Sequence, residues 1–145
     1  MDSQAVLATL ARRESRSANN RPGPLPLRRR ILVVDDEAAI RDFLSTFLEA
    51  HGFVVCTASD GTSALALLQA ESIEVLLVDL QMPGLSGIEV AIEVRRTAPH
   101  LPLALITGTP EAIPPAMLTQ TGISRVFTKP FDLTELLTWL KTLPL

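Results

Sequence analysis

One cysteine, two histidines and no tyrosine stand among the 145 residues of this chain. With Cys56 alone no internal disulfide framework can form, which suits a reducing compartment. A zinc site of thiolates and imidazoles has too few donors. No apolar run approaches the ~18 residues of a membrane span. The opening MDSQAVLATLARRE has no basic residue ahead of its short apolar stretch, which Thr9 interrupts, so it does not read as a secretory signal. The expectation is a cytoplasmic protein with no membrane span. GxxxxGK[ST] and GxGxxG are both missing, which removes two phosphate-cradling loops. No Ser-His-Asp arrangement suggests itself either.

What is present is a chain of one-domain length, 47% apolar, enough for a real core. The net charge of −3 hides an asymmetry. Residues 1–30 carry seven arginines against Asp2 and Glu14, while residues 31–145 carry six basic and fourteen acidic residues. A basic arm, residues 1–29, thus precedes an acidic domain, residues 30–145. Ser15 to Pro26, SRSANNRPGPLP, reads as a flexible linker. Ahead of it Val6, Leu7, Leu10 and Ala11 have helical spacing, in a segment too short to hold a helix without a partner. The arm reads as a tail, with a docking or electrostatic role as the functional alternative. The acidic domain argues against a large nucleic-acid face.

From residue 30 the pattern alternates. ILVV (31–34), FVVCTA (53–58), VLLVD (75–79), LPLALIT (101–107) and SRVFTK (124–129) are short, nearly continuous apolar runs. Between them lie helical stretches. The first has Ile40, Phe43, Leu44, Phe47 and Leu48 on one face and stops at His51-Gly52. The second, 59–71, turns Ala64, Leu65 and Leu68 inward; the third and fourth cover 86–96 and 115–122. The last opens at Asp132-Leu133-Thr134-Glu135, which resembles a capping box, and carries Leu133, Leu136, Leu137 and Leu140. Cys56 reads as a small buried hydrophobe. A βα unit repeated five times implies an α/β fold with a parallel sheet covered on both faces.

Such sheets bind ligands beyond the carboxyl ends of their strands. Asp35 and Asp36 end the first strand, Asp79 the third, Thr107 the fourth and Lys129 the fifth, so the topology gathers them in one cleft. Three carboxylates at close range raise one another's pKa values, and a divalent cation resolves the conflict. Magnesium takes oxygen ligands and uses one or two carboxylates beside a phosphate. Lys129 and the Thr107 hydroxyl suit phosphoryl oxygens. The chemistry that remains is magnesium-assisted phosphoryl transfer with a carboxylate nucleophile, and Asp79 is the best placed of the three acids. Asp36 and Glu37 also have a plainer reading as acids at a helix N-terminus.

VVDDE at 33–37, VDLQMPGLSG at 78–87, ITG at 106–108 and KPF at 129–131, in this order and spacing, resemble the response-regulator receiver domain, the CheY-like family. The resemblance covers about residues 30–143. It implies a flavodoxin-like, three-layer (βα)5 doubly wound sheet in the parallel order 2-1-3-4-5. It implies Asp79 as phosphoacceptor and Mg2+ held by Asp35, Asp36, Asp79 and the backbone carbonyl of Gln81. Thr107 and Lys129 would contact the phosphoryl group. Gly108 would leave the site open, and a cis Lys129-Pro130 bond would aim the lysine. The phosphate would come from a sensor histidine kinase or a histidine phosphotransfer protein, and the output would be a contact with a downstream protein target. The chain would be no enzyme beyond self-phosphorylation and slow autodephosphorylation. An aspartyl-nucleophile phosphatase would need a second acid at position 81, which is Gln.

Two features depart from the family pattern. The aromatic expected three residues before the lysine is replaced by Val126, and Phe127 follows one place later, on the opposite face of a strand. Ile113-Pro114-Pro115 falls where the fourth helix should begin, which predicts a short or late helix behind a stiff loop. Val126 keeps open the alternative of a pseudo-receiver, a constitutive protein-binding module. No output domain follows the last helix, and the initial Met favours a complete chain over a receiver fragment of a hybrid kinase.

Overall fold

The computed structural model describes residues 28–144. The candidate helix near Val6–Ala11 and the 15–26 linker lie outside the described residues. Five strands, β1 (Arg30–Val34), β2 (Val54–Ala58), β3 (Val75–Asp79), β4 (Leu103–Thr107) and β5 (Arg125–Thr128), form one sheet in the order β2-β1-β3-β4-β5. Every neighbouring pair is parallel. Five α-helices connect and follow them: α1 (Ala38–Ala50), α2 (Gly61–Ala70), α3 (Gly87–Thr97), α4 (Pro115–Thr121) and α5 (Leu133–Thr142). This is the expected flavodoxin-like arrangement.

β3 and β4 are buried along their whole length, and β1 from Ile31 onwards. Their residues therefore divide between two apolar layers by alternation rather than between core and solvent. Leu32, Val34, Leu76, Val78, Leu103 and Leu105 pack with Ala64 of α2 and with Val90, Ala91 and Val94 of α3. Ile31, Val33, Val75, Leu77, Ala104 and Ile106 pack with Leu44 and Leu48 of α1 and with Leu136, Trp139 and Leu140 of α5. Each fully buried Val, Leu or Ile contributes roughly 1.5–3 kcal/mol, so the sheet holds its strand ends on a stiff frame.

Several local expectations change. Phe43 points outward, 49% exposed, while Ser45 takes a buried place on α1. Five apolar residues make a stripe wider than the sheet can cover. Cys56 is only half buried, and its sulfur lies 4.0 Å from an Arg30 guanidinium nitrogen. The box at Asp132 is half formed: its side chain accepts the Glu135 N–H at 3.1 Å, but the Glu135 carboxylate pairs with Arg125. A complete capping box stands instead at Ser86 and Glu89, opening α3. Parallel pairing also begins upstream of β1, where the Arg29 carbonyl accepts the Val54 N–H at 2.9 Å.

Candidate functional site

All five strands run the same way, so the residues that end them share one edge. Asp35 continues the β1 ladder, donating its N–H to the Ala58 carbonyl at 3.2 Å. Asp79 is the last residue of β3 and stands opposite Ile106. Lys129 follows β5 and donates its N–H to the Thr107 carbonyl at 2.8 Å. Each functional side chain therefore leaves from backbone tied into the sheet.

The carboxylates of Asp35, Asp36 and Asp79 place ligand oxygens within 4.8 Å of one another. Asp35 is fully buried, Asp79 is 5% exposed and Asp36 faces solvent. The Lys129 ammonium crosses from β5 to reach Asp35 Oδ2 at 3.1 Å, Glu37 Oε1 at 3.4 Å and Asp79 Oδ2 at 3.5 Å. Burial and the neighbouring Asp35 charge push the Asp79 carboxyl up to about 6, against the opposing pull of Lys129 and of the Gln81 N–H. Burial draws the Lys129 pKa down, but Asp35, with Asp79 and Glu37, outweighs it and leaves the lysine raised and firmly charged.

The pocket is short of positive charge. One ammonium faces three carboxylates, and Asp36 adds a fourth. The buried Asp35 Oδ2 makes its ion pair with Lys129 without a well-formed hydrogen bond. Asp35 Oδ1 accepts the Glu37 N–H at 2.9 Å, and Asp79 Oδ1 accepts the Gln81 N–H at 3.3 Å. A buried carboxylate oxygen with spare lone pairs among hard oxygen donors fits a hard divalent cation.

The other expected residues fall around this centre. Gln81 begins the loop after β3. Thr107 is buried at the end of β4, but its hydroxyl turns back to accept the Thr109 N–H at 2.9 Å and lies 3.3 Å from the Thr109 hydroxyl. A Cβ added to Gly108 would meet nothing within 4 Å, so that position is open. The Lys129–Pro130 bond is cis. Val126 stands opposite Leu105 and packs in the α2–α3 layer. Phe127, opposite Ile106, packs in the other layer, edge-on to Trp139 at 5.7 Å. The one-place displacement thus moves the ring to the far side of the sheet. α4 is short, seven residues from Pro115, behind a 3-10 turn at Pro110–Ala112.

Sequence reasoning gave three contributors no part in the site. Glu37 caps α1 without a side-chain cap bond, which leaves its carboxylate for Lys129. Arg41 donates to the Asp35 carbonyl at 2.6 Å and fixes the backbone that carries the buried acid. A Cβ on Gly87 would sit 2.5 Å from the Asp79 carbonyl oxygen, so only glycine lets α3 start directly against the backbone of Asp79 and Leu80.

Comparison with known proteins agrees with this geometry. Residues 31–141 match the response regulator receiver domain family. Regulatory protein VanRc of Enterococcus gallinarum is 34% identical over 113 residues, 78% of this chain and 48% of the relative. Response regulator MprA of Mycobacterium ulcerans is 35% identical over 114 residues, 79% and 49%. The chain spans about half the length of these curated relatives. Among solved structures, chemotaxis protein CheY4 of Vibrio cholerae superposes with a TM-score of 0.73 at 31% identity, covering 79% of this chain and 98% of that one. Response regulator protein TrrA of Thermotoga maritima, in complex with Mg(2+)-BeF, gives 0.71 at 33% identity, covering 78% and 96%.

Proposed function

Because this chain belongs to the response regulator receiver family, we propose that it is a phosphoacceptor, taking a phosphoryl group onto Asp79 and switching a protein-binding surface. The observation that carries the reading is the pocket itself: a carboxylate at a strand end, two further acids within 4.8 Å of it and a lysine that reaches across the sheet to Asp35 and Asp79. Asp79 is the nucleophile of choice because it keeps 5% exposure where Asp35 is sealed, and because Lys129 reaches it at 3.5 Å while no ion pair joins Lys129 to Asp36.

In the proposed reaction an Asp79 carboxylate oxygen attacks the phosphorus of a phosphohistidine on a sensor histidine kinase or phosphotransfer protein. The P–N bond breaks, and its electron pair leaves with the imidazole, which takes up a proton. Lys129, 3.5 Å from Asp79 Oδ2, would supply a new phosphoryl oxygen with a point charge. Asp35, Asp36, Asp79 and the Gln81 carbonyl would hold Mg2+, which supplies charge neutralisation between the acids and the phosphate. Thr107 would release Thr109 to donate to the phosphoryl group, and Gly108 leaves that approach open. The same site would lose phosphate slowly to water, and no other catalysis is proposed. The output is a contact with a downstream protein target.

Intact mass after incubation with acetyl phosphate tests the reading. One phosphoryl group should be gained with magnesium, none without it, and none in Asp79→Asn. No gain by folded protein, with this donor and with candidate kinases, would favour the second reading, a constitutive binding module. Val126 supports that alternative, since the ring that would couple site to surface lies in the opposite layer.

A further inference from the structure

Away from the acidic pocket, the α2–α3 face carries an apolar groove, open among the described residues. Leu65 and Leu68 of α2 form one wall, and Leu85 with Ile92 of α3 the other, Ile92 being 43% exposed. The charged side chains along it are both acids, Glu89 and Glu93, one turn apart on α3. Towards the amino ends of the strands the groove meets a second cleft through Ala98 and Leu101, and that cleft is lined by Arg29 and Glu74.

We propose that this groove is the docking site of the chain's own amino-terminal segment, residues 5–13. Three observations favour that occupant. Its apolar residues, Val6, Leu7 and Leu10, fall at helical spacing, as a ligand for a groove between two helices requires. Arg12 and Arg13 follow immediately, and Arg16 lies one turn on, opposite in sign to the Glu89 and Glu93 rim. Length permits it: residues 17–27 separate Arg16 from Arg28, an extended reach of about 35 Å. A domain of this size has a radius of gyration of only about 13 Å. The segment is too short to hold a helix alone, and a groove that covers its apolar side supplies the missing partner. Docking within one chain needs no association, so a modest contact suffices. The assignment stands independently of phosphorylation.

Hydrogen exchange on the full chain tests it. Amides of residues 5–13 should exchange about tenfold more slowly in the wild type than in the double variant Leu7→Asp, Leu10→Asp. Ile92→Glu, a change at an exposed position, should release them equally, and Glu93→Arg should release them severalfold. Three results would overturn the proposal. The segment could exchange at the unprotected rate in the wild type. Its protection could survive both groove variants, which would seat it elsewhere. Its protection could rise with protein concentration, which would seat it on a second copy.

Discussion

On one side of the acidic pocket β1 delivers the buried Asp35, and a thirteen-residue helix begins three residues later. On the other side β4 delivers Thr107, and the chain then runs through residues 108–114, a 3-10 turn and Pro114 before a helix of seven residues. The first flank is pinned by Arg41 on the Asp35 carbonyl and by the Glu37 N–H on its carboxylate. On the second, the Thr107 hydroxyl folds onto its own loop, and Gly108 faces open space. Charge is held where hydrogen bonds tie the backbone, and the pocket's ion pairs draw on no side chain of the loop on the other flank. The proposed function, taking up a phosphoryl group and reporting its arrival, would use both, and the division follows from packing rather than from any single residue.

The comparison breaks most readily at the lysine that spans both flanks. Lys129→Ala leaves Asp35 and Asp79 buried without their cation and should lower metal-free stability at pH 7.5 by about 3 kcal/mol in urea unfolding. Saturating magnesium should restore part of this loss.

Asp79→Asn should act in the opposite direction. The Asp79 pKa rises from its ordinary 3.8 to about 6 on folding, so between those values the folded state binds more protons than the unfolded. Stability from this group is therefore greatest below pH 4 and falls as pH rises through 6. Removing the charge should stabilise the metal-free protein by about 2 kcal/mol at pH 7.5 and by almost nothing at pH 4. Thermal unfolding at the two pH values checks it, and an equal gain at both would contradict the stated cause.

Arg41→Ala touches only the rigid flank. Loss of its charged bond to the Asp35 carbonyl should cost about 1.5 kcal/mol, with a weaker magnesium response in the same melts. Pro114→Ala touches only the second flank. Freeing φ in the unfolded chain should cost less than about 1 kcal/mol, with phosphoryl uptake unchanged. If the proline variant had the larger effect on uptake, the proposed division between flanks would be wrong.

These flanks were not equally legible in the sequence. β3 was read with its observed bounds, Val75–Asp79, because a five-residue apolar run ending in an acid has few other readings. The gathering of Asp35, Asp79 and Lys129 followed from strand direction alone. Glu37 was read as a helix-end acid because its partner, Lys129, lies 92 residues away and leaves no local mark. Arg41 was invisible because its acceptor is main chain, which every residue offers. Phe43 was placed inward because a spacing rule gives the angle of a stripe but not the width of the surface that covers it. The Ser-x-x-Glu spacing of a capping box was available in Ser86 and Glu89, but the stretch was read for its phosphoacceptor motif instead. The Val126 and Phe127 displacement was legible, since alternation on a strand needs no tertiary knowledge, and the two residues lie in opposite layers.

The most direct test of the central claim is to locate the phosphoryl group. Protein incubated with acetyl phosphate and magnesium would be reduced with borohydride, which converts an aspartyl phosphate to homoserine, and then mapped by peptide mass. The account predicts homoserine at position 79 and at no other acid of the pocket. Homoserine at Asp35 or Asp36, or label on a serine, threonine or histidine with Asp79 untouched, would contradict it.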